Sequence, residues 1–246
     1  MLIALFSDIH SNREALEACL ADARKRGAER LVFLGDLVGY GPDPAYVVDR
    51  LMQLRREGAV IIKGNHDAAI TKTRDVMSSH ARTAIAWTRE RLDPAQKDFL
   101  ANLPLSVAWN DTLFVHAEAS QPAQWIYIAG MRDAERSMRA AGHRITISGH
   151  VHRPRVFHMS EKTAAATLVP RTDVAIPFEK NRKWHAIIGS VGQPRDEIPS
   201  AAYALYDDAE NVITFVRADY DIETTARKIR DAGLPEFLSQ RLFAGH

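Results

Sequence analysis

Five short polar segments, each directly after an apolar run, carry side chains that could bind metal ions. They are Asp8-Ile9-His10, Gly35-Asp36, Gly64-Asn65-His66-Asp67, His116 and Gly149-His150-Val151-His152. Their donors are carboxylates, imidazoles and one amide, which suit Mn, Fe, Zn or Co. The lack of sulfur argues against a structural zinc site built on thiolates.

The spacing of these side chains favours two ions over one. Residues two apart in an extended segment point to the same side, so Asp8 with His10, and His150 with His152, can share a pocket. Seven ligand-type side chains exceed the needs of one ion and suit two ions about 3.5–4 Å apart, bridged by a carboxylate. Each segment alone is weak evidence, and the one from Gly64 to Asp67 could be only a turn. Five in this order, each after a strand, favour metal binding over coincidence.

The first third of the chain predicts strands and helices in alternation. Apolar runs at residues 2–6, 31–34 and 60–62 are typical of buried strands. Ser11 and Glu14 fit a capping box at the start of a helix between the first two strands, and Gly27 fits its end. Another helix is expected over residues 45–56. This alternation predicts an α/β fold with a largely parallel sheet, whose strand ends would gather the polar segments at one edge.

The rest of the chain predicts helices and many short strands. Helices are expected over residues 79–92, 94–102 and 223–232, with a hairpin-type turn at Asn110-Asp111. Strands are expected over residues 105–108, 112–115, 145–148, 156–158, 166–169, 185–190, 203–206 and 212–216. Since no linker or repeat interrupts the pattern, we predict one domain, residues 1–246, with two sheets between helices.

Composition narrows the possible functions. The chain is 46% apolar, enough for a sizeable core, and its 32 basic against 31 acidic residues give a net charge of +1. Nucleic-acid-binding surfaces usually show a basic surplus, so a nucleic-acid partner is not expected. The one cysteine, Cys19, has apolar neighbours at helical spacing and is expected in the core. No signal peptide or membrane span of about 20 apolar residues is recognised, so a cytoplasmic protein without a membrane partner is expected.

The order of the five segments resembles that of the calcineurin-like metallophosphoesterase superfamily. The stretch from Gly189 to Asp196 resembles its smaller prokaryotic phosphodiesterase-like branch. The resemblance implies a four-layer α/β/β/α sandwich of two mixed sheets flanked by helices, with two divalent ions (Mn, Fe, Zn, Ni or Co) at the sheet edge. It assigns Asp8, His10, Asp36 and His152 to one ion, and Asn65, His116 and His150 to the other, which Asp36 bridges.

The implied reaction is hydrolysis of a phosphate ester. A water that bridges the two ions becomes hydroxide near neutral pH and would attack phosphorus in line with the leaving group. His66, which binds no metal in the family, would stabilise or protonate the leaving oxygen. A group that titrates near pH 7 suits this task.

Three positions depart from better-known relatives. The protein phosphatase branch has a second Asp, which pairs with the catalytic His, and an Arg where this chain has Gly39 and Tyr40, so a protein phosphatase loses support. Ala117 replaces the usual glycine after His116, and the nearby Glu118 is expected to be a solvated loop residue. Residues 187–188 are Ile-Ile where the branch often has Asn-Pro.

Several other side chains have both a functional and a structural interpretation. They are Asn12, Tyr40, Trp125, Arg153, Arg155 and Arg195. Asn12 could contact a substrate phosphate or begin a helix, and the aromatic rings could stack a nucleobase or pack in the core. The arginines could bind phosphate or face solvent. The segment 119–131 could be a lid, a partner surface or buried structure, and the role of the C-terminal helix is equally open.

The leading hypothesis is a metal-dependent phosphoesterase acting on a small phosphodiester, such as a nucleotide. A phosphomonoesterase or a dinucleoside polyphosphate hydrolase would use the same site. A different class is a non-catalytic protein-binding scaffold, as in the retromer subunit that shares this fold and resembles a phosphoesterase with a decayed site. All seven ligand positions and His66 are present here, which favours an enzyme. The sequence does not predict an oligomeric state.

Overall fold

Two six-stranded mixed sheets lie face to face at the centre of the molecule. The computed structural model describes residues 1–72, 77–160 and 162–246. The strands are β1 (Leu2–Phe6), β2 (Arg30–Phe33), β3 (Val60–Ile61), β4 (Ser106–Trp109), β5 (Thr112–Val115), β6 (Ile145–Ser148), β7 (Arg155–Ser160), β8 (Thr163–Leu168), β9 (Ala175–Pro177), β10 (Lys183–Ile187), β11 (Ala201–Asp207) and β12 (Val212–Ala218). The first sheet has the order β3-β2-β1-β11-β12-β9, and the second has the order β4-β5-β6-β10-β7-β8.

Eight α-helices within the described ranges flank these sheets. They are α1 (Arg13–Lys25), α2 (Pro44–Arg56), α3 (Asn65–Thr71), α4 (Ser79–Arg91), α5 (Pro94–Ala101), α6 (Met131–Ala140), α7 (Ile222–Asp231) and α8 (Glu236–Ala244). Apolar residues of α1, α2 and α5 pack on the first sheet, and α6 packs on the second. The order helix, sheet, sheet, helix confirms the predicted four-layer sandwich. No helix in the described ranges is long and apolar enough to cross a bilayer.

Both faces of the first sheet are apolar. In β1, Ile3 and Leu5 join the core between the sheets, whereas Ala4 and Phe6 join the core under the helices. Side chains alternate across a strand, so a continuous apolar run marks a strand buried on both faces. Cys19 is fully buried in the helix-side core, which confirms the expectation of a core thiol.

Parallel strands bring the polar segments to one edge. Strands β1, β2 and β3 run parallel, as do β5, β6 and β10. Each segment singled out in the sequence begins just beyond the carboxyl end of β1, β2, β3, β5 or β6. The ligand crevice of such sheets lies at these ends.

Two predicted local features at strand ends differ from the structure. Asn12, not Ser11, caps α1, because its side chain accepts a hydrogen bond from the Ala15 N–H at 3.1 Å; the predicted capping box is therefore wrong. Gly27, at φ +83°, follows the end of this helix as expected. The segment from Gly64 to Asp67 opens α3 and is not an isolated turn.

Candidate metal centre

Four buried acceptor side chains converge beyond β1, β2 and β6. The Nε2 atoms of His10 and His152 lie 3.2 Å apart. Asp8 Oδ1 lies 3.3 Å from His152 Nε2, and Asp36 Oδ2 lies 3.7 Å from His10 Nε2. Donor atoms around one ion, with bonds of about 2.1 Å, are themselves about 3–4 Å apart. These four side chains could therefore hold one ion.

A second group shares Asp36. His116 Nε2 lies 3.5 Å from Asp36 Oδ2, 3.1 Å from His150 Nδ1 and 3.2 Å from Asn65 Oδ1. Asp36 Oδ2 thus faces both groups, as a bridging carboxylate must. The structure brings together all seven side chains chosen from the sequence; that they bind ions stays a prediction.

Backbone carbonyls determine which imidazole nitrogen faces the centre. The contacts are His10 Nδ1 to Val38 O at 3.2 Å, His116 Nδ1 to Leu34 O at 2.7 Å, His152 Nδ1 to Gln193 O at 2.7 Å, and His150 Nε2 to Trp125 O at 3.0 Å. A carbonyl oxygen can only accept, so each contacting nitrogen carries a hydrogen. The other nitrogen of each ring then turns its lone pair inward, as metal-binding histidines do.

The centre is therefore composed largely of hydrogen-bond acceptors. The lone pairs of His10 and His152 face each other at 3.2 Å, and Asp8 Oδ1 is buried without a hydrogen-bond partner. Buried acceptors this close repel each other unless a cation lies between them. The donor set consequently fits divalent cations that accept nitrogen and oxygen ligands.

The pKa values favour the metal-binding forms for most of these groups. Burial opposes charge on Asp8 and Asp36, but the His152 and His116 imidazoles outweigh it, and the pKa of each carboxyl lies below its usual value. Burial lowers the pKa of His150 to about 3. Burial also opposes charge on His116, yet Asp36 raises its pKa to about 9. Without metal, His116 would therefore be protonated near pH 7, and a metal ion would displace this proton on binding.

Five of the seven ligand side chains stand on left-handed backbone. The φ angles are +54° at Asp8, +49° at His10, +51° at Asp36, +66° at His150 and +61° at His152. The expectation of extended segments is therefore wrong. Asp8 and His10 do lie in one acceptor group, whereas His150 and His152 lie in different groups. Such φ values cost about 1–3 kcal/mol per residue and cluster at functional sites.

Gly149 lets the two sheets' loops approach closely. A Cβ atom here would collide with Ser7 Oγ and Asp8 Oδ2. The next residue, His150, donates its backbone N–H to Asp8 Oδ2 at 2.9 Å. One ligand segment therefore positions the other.

His66 lies beside the centre but belongs to neither acceptor group. Its ring centroid is 4.7 Å from that of His10 and 4.5 Å from that of Tyr40. Its backbone N–H donates to Asp36 Oδ1 at 2.8 Å, and its Nδ1 is buried without a hydrogen-bond partner. Burial lowers its pKa to about 4, so the ring is neutral near pH 7, unlike the group titrating near pH 7 that we expected. The Asp67 carboxylate accepts from the N–H groups of Leu37 and Gly64 instead of orienting this ring.

Asn12 is buried, and its amide is used within the protein. In addition to capping α1, its Nδ2 donates to Gly192 O at 3.0 Å, and its Oδ1 lies 3.2 Å from the Thr225 hydroxyl, which donates to it. These contacts support the helix-start interpretation. A substrate contact by Asn12 stays a prediction.

The segment 119–131 forms part of the wall of the centre. Its Trp125 is buried, and the Trp125 carbonyl accepts the hydrogen bond from His150. Glu118, just before the segment, is fully buried, so the expectation of a solvated side chain is wrong. Its Oε2 accepts from the Ser120 N–H, and its Oε1 lies 3.5 Å from Arg136 Nε. Because Trp125 is buried, its ring fits the packing interpretation, and its carbonyl oxygen is the atom that contacts His150.

The sequence placed Tyr127 only within the segment 119–131, whose residues were compatible with burial, dimerisation or substrate contact, and gave it no role of its own. Its ring stacks on His150 with 3.9 Å between centroids, and the residue is 54% exposed. Tyr127 belongs to none of the five segments; the only available signal was its place two residues after Trp125. It is an accessible aromatic surface in contact with a candidate ligand.

Two mixed sheets between helices, with a cluster of His and Asp side chains at one edge, are the features of the metallophosphoesterase fold, and comparison with known proteins shows the family. The family model described as calcineurin-like phosphoesterase superfamily domain matches residues 1–210, and the chain belongs to this superfamily. An uncharacterized protein of Methanocaldococcus jannaschii is 35% identical over 250 residues, which cover 99% of this chain and 98% of the relative.

Solved structures give the same result. A metallophosphoesterase from Sphaerobacter thermophilus has a TM-score of 0.87 at 34% identity, covering 100% of this chain and 99% of that one. A hypothetical protein from Pyrococcus horikoshii OT3 has a TM-score of 0.80 at 19% identity, covering 100% of this chain and 98% of that one, and shares the fold.

Proposed function

We propose that this protein is a dinuclear metal-dependent phosphoesterase that hydrolyses a small phosphodiester, such as a nucleotide. The observation that carries the proposal is the position of Asp36 Oδ2, which is 3.7 Å from His10 Nε2 and 3.5 Å from His116 Nε2. One carboxylate oxygen thus lies between two groups of acceptors. Membership of the superfamily supports phosphate-ester hydrolysis as the class of reaction.

The protein's own contribution is to fix the ligands. Asp8, His10, Asp36 and His152 would hold one ion, and Asp36, Asn65, His116 and His150 the other. When bound, two such ions polarise phosphate oxygens and supply a bridging water that ionises near neutral pH. The backbone carbonyls that orient the imidazoles keep this ligand set in place before substrate arrives.

We place His66 at the leaving oxygen of the substrate. Its Nδ1 is buried against Gly39, so Nε2 is the atom available to substrate. Because burial lowers its pKa to about 4, the neutral ring would stabilise the leaving oxygen by donating a hydrogen bond.

The proposal is tested by hydrolysis of bis-p-nitrophenyl phosphate beside p-nitrophenyl phosphate. The protein is stripped of metal, reloaded with Mn²⁺ and analysed for bound metal. We expect metal-dependent turnover that favours the diester. The His66→Ala variant should lose about 10²–10⁴-fold in kcat with its metal content unchanged. The matched control is His80→Ala, because His80 is an exposed histidine outside the centre.

Each alternative predicts a different result. Preference for the monoester would identify a phosphatase and contradict the diester assignment. No turnover of either ester with two ions bound would indicate a narrow substrate range or a binding scaffold, and absence of turnover of a nucleotide diester as well would contradict the enzyme.

A further inference from the structure

A groove of about 650 Å³ lies beside the metal centre, on the outer face of the second sheet. We call it the arginine groove, and its walls include Tyr127, Val151, Arg153, Arg155, Phe157 and Arg195. Arg155 and Phe157 stand on the same face of β7, two residues apart. The groove is large enough for a group of nucleotide size.

The arginine groove adjoins the centre through two of its lining residues. Val151 separates the ligand residues His150 and His152 in the chain, and Tyr127 stacks on the His150 ring at 3.9 Å. Arg195 is held by its backbone N–H, which donates to His152 O at 3.1 Å. The part of a substrate attached to a phosphate at the centre would therefore enter this groove.

The charge of the groove is positive. Three arginines line it, and no carboxylate does among the residues that the structure describes. Arg195 donates to Gln193 Oε1 at 3.0 Å, but its Nε is buried without a hydrogen-bond partner. The neighbouring Asp196 is paired with Arg217 and does not neutralise it. Guanidinium groups without a carboxylate partner suit phosphate, which they can bind through two parallel hydrogen bonds.

The remaining walls are apolar or aromatic. Phe157 is buried at 4% exposure, whereas Tyr127 is 54% exposed although His150 stacks against it. An accessible aromatic ring can stack a nucleobase. The groove thus combines a stacking surface with cationic side chains.

We infer that the arginine groove binds the part of the substrate beyond the scissile bond, and that this part is a nucleoside carrying at least one further phosphate. The inference rests on the proposed function. A simple diester has only the phosphate held at the metal centre and would leave the partly exposed arginines of the groove without an anion to bind.

Three substrates separate the contributions to binding: two are p-nitrophenyl diesters, and the third is cleaved at a phosphoanhydride bond, so the effect of each variant is compared with the wild type on the same substrate. Bis-p-nitrophenyl phosphate has one phosphate and no base, the p-nitrophenyl ester of thymidine 5′-monophosphate adds a base, and diadenosine tetraphosphate adds both bases and phosphates. We expect kcat/KM of the Mn²⁺-loaded protein to rise along this series.

Variants of the groove should change this selectivity. Arg155→Gln should lower kcat/KM for the tetraphosphate at least about tenfold more than for bis-p-nitrophenyl phosphate, since it removes a charged hydrogen bond. Tyr127→Ala should lower kcat/KM for both nucleoside esters more than for the simple diester. Metal content is measured for each variant because Tyr127 touches a candidate ligand. The matched control is Arg171→Gln, which removes an exposed arginine outside the groove.

The outcomes are distinguishable. If Arg155→Gln changes hydrolysis of all three substrates equally, the groove inference is wrong while the proposed function stands. If the wild type hydrolyses no ester with two ions bound, the proposed function fails, and calorimetric binding of diadenosine tetraphosphate decides the inference. Weaker binding by Arg155→Gln than by Arg171→Gln would then support it, and equal binding would overturn it.

Discussion

The ligand residues adopt left-handed backbone because their side chains must turn towards the same pocket. Asp8 and His10 are two residues apart, and both must face a pocket beside the end of β1. Their φ angles of +54° and +49° bend the chain there, and the N–H groups of both residues donate to carbonyls of the loop after β2 at 3.0 Å. These hydrogen bonds stabilise a conformation that each residue alone would avoid.

The donor types could be predicted from sequence at this scale, but the environment of each side chain could not. Asp36 and His116 lie together in the structure, where motif and strand end coincide in the sequence; that they bind metal stays a prediction. The burial of Glu118 and the lowered pKa of His66 depend on residues distant in sequence, such as Arg136 and Tyr40. Sequence spacing carries no information on those contacts.

His185 gives a prediction for stability against pH. It is fully buried in β10, its Nε2 lies 2.8 Å from Ser148 Oγ, and burial lowers its pKa to about 3. Its pKa in the unfolded chain is about 6.5, so between pH 6.5 and 3 the unfolded state binds more protons. The contribution of neutral His185 is complete above pH 6.5 and falls, as pH is lowered, by up to about 1.4 kcal/mol per unit.

This dependence is checked by urea unfolding of metal-loaded protein between pH 7 and 4.5. The His185→Gln variant does not titrate and can keep a hydrogen bond to Ser148. Its free energy of unfolding should fall less steeply with decreasing pH than that of the wild type. Parallel curves for the two proteins would show that His185 is not the titrating group.

At the scale of elements, the loop after β2 and the start of α3 form the pocket for His66. Gly39, at φ +89°, lies against His66 Nδ1, where the protein phosphatase branch has an Asp. On its other side, Tyr40 contacts the His66 ring and packs with apolar residues of α7 and α8, including Leu238. The C-terminal helices, whose role the sequence left open, therefore pack against Tyr40, which in turn contacts the candidate catalytic residue His66.

Substitution of Gly39 tests this arrangement. In Gly39→Ala the new Cβ would collide with His66 Nδ1, so we expect kcat to fall by about tenfold or more while metal content is kept. The matched control is Gly58→Ala, which has a similar φ of +101° and nothing within 4 Å of the added Cβ. Both variants carry the backbone strain, about 1 kcal/mol or more, but only the first should lose activity. Equal activities would show that Gly39 does not position His66.

Two of the elements that the sequence missed, α6 and β9, have few apolar contacts. Helix α6 presents only Ala134 and Met138 to the core of the second sheet, so charged residues dominate its pattern. Strand β9 has three residues and pairs at the edge with β12. Strands β1, β5 and β6, by contrast, are almost wholly buried, and their predicted bounds agree with the structure. Hydrophobic periodicity identifies an element only when packing buries enough of it.

At the scale of the whole molecule, both sheets contribute to one core and both supply ligands to one centre. Ile3 and Leu5 of the first sheet pack in the same cluster as Phe114, Ile145 and Ile147 of the second. Asp8 and Asp36 follow strands of the first sheet, whereas His116, His150 and His152 follow strands of the second. Metal binding should therefore stabilise the contact between the sheets, and residues 1–246 should unfold as one domain.

Thermal unfolding of the metal-free and Mn²⁺-loaded protein tests this coupling. Removing the ions leaves the buried acceptors of both sheets facing each other, so the metal-free protein should be less stable. At a free ion concentration of 100 times Kd, binding at one site adds about 2.7 kcal/mol to the free energy of unfolding, seen as a higher Tm in a single transition.

In Asp36→Asn this gain in stability on adding Mn²⁺ should be much smaller. The control is Asp173→Asn, because Asp173 also has a left-handed φ, +58°, but lies outside the centre. Equal gains in both variants would exclude Asp36 as a bridge, and two separate transitions would show that the sheets fold independently.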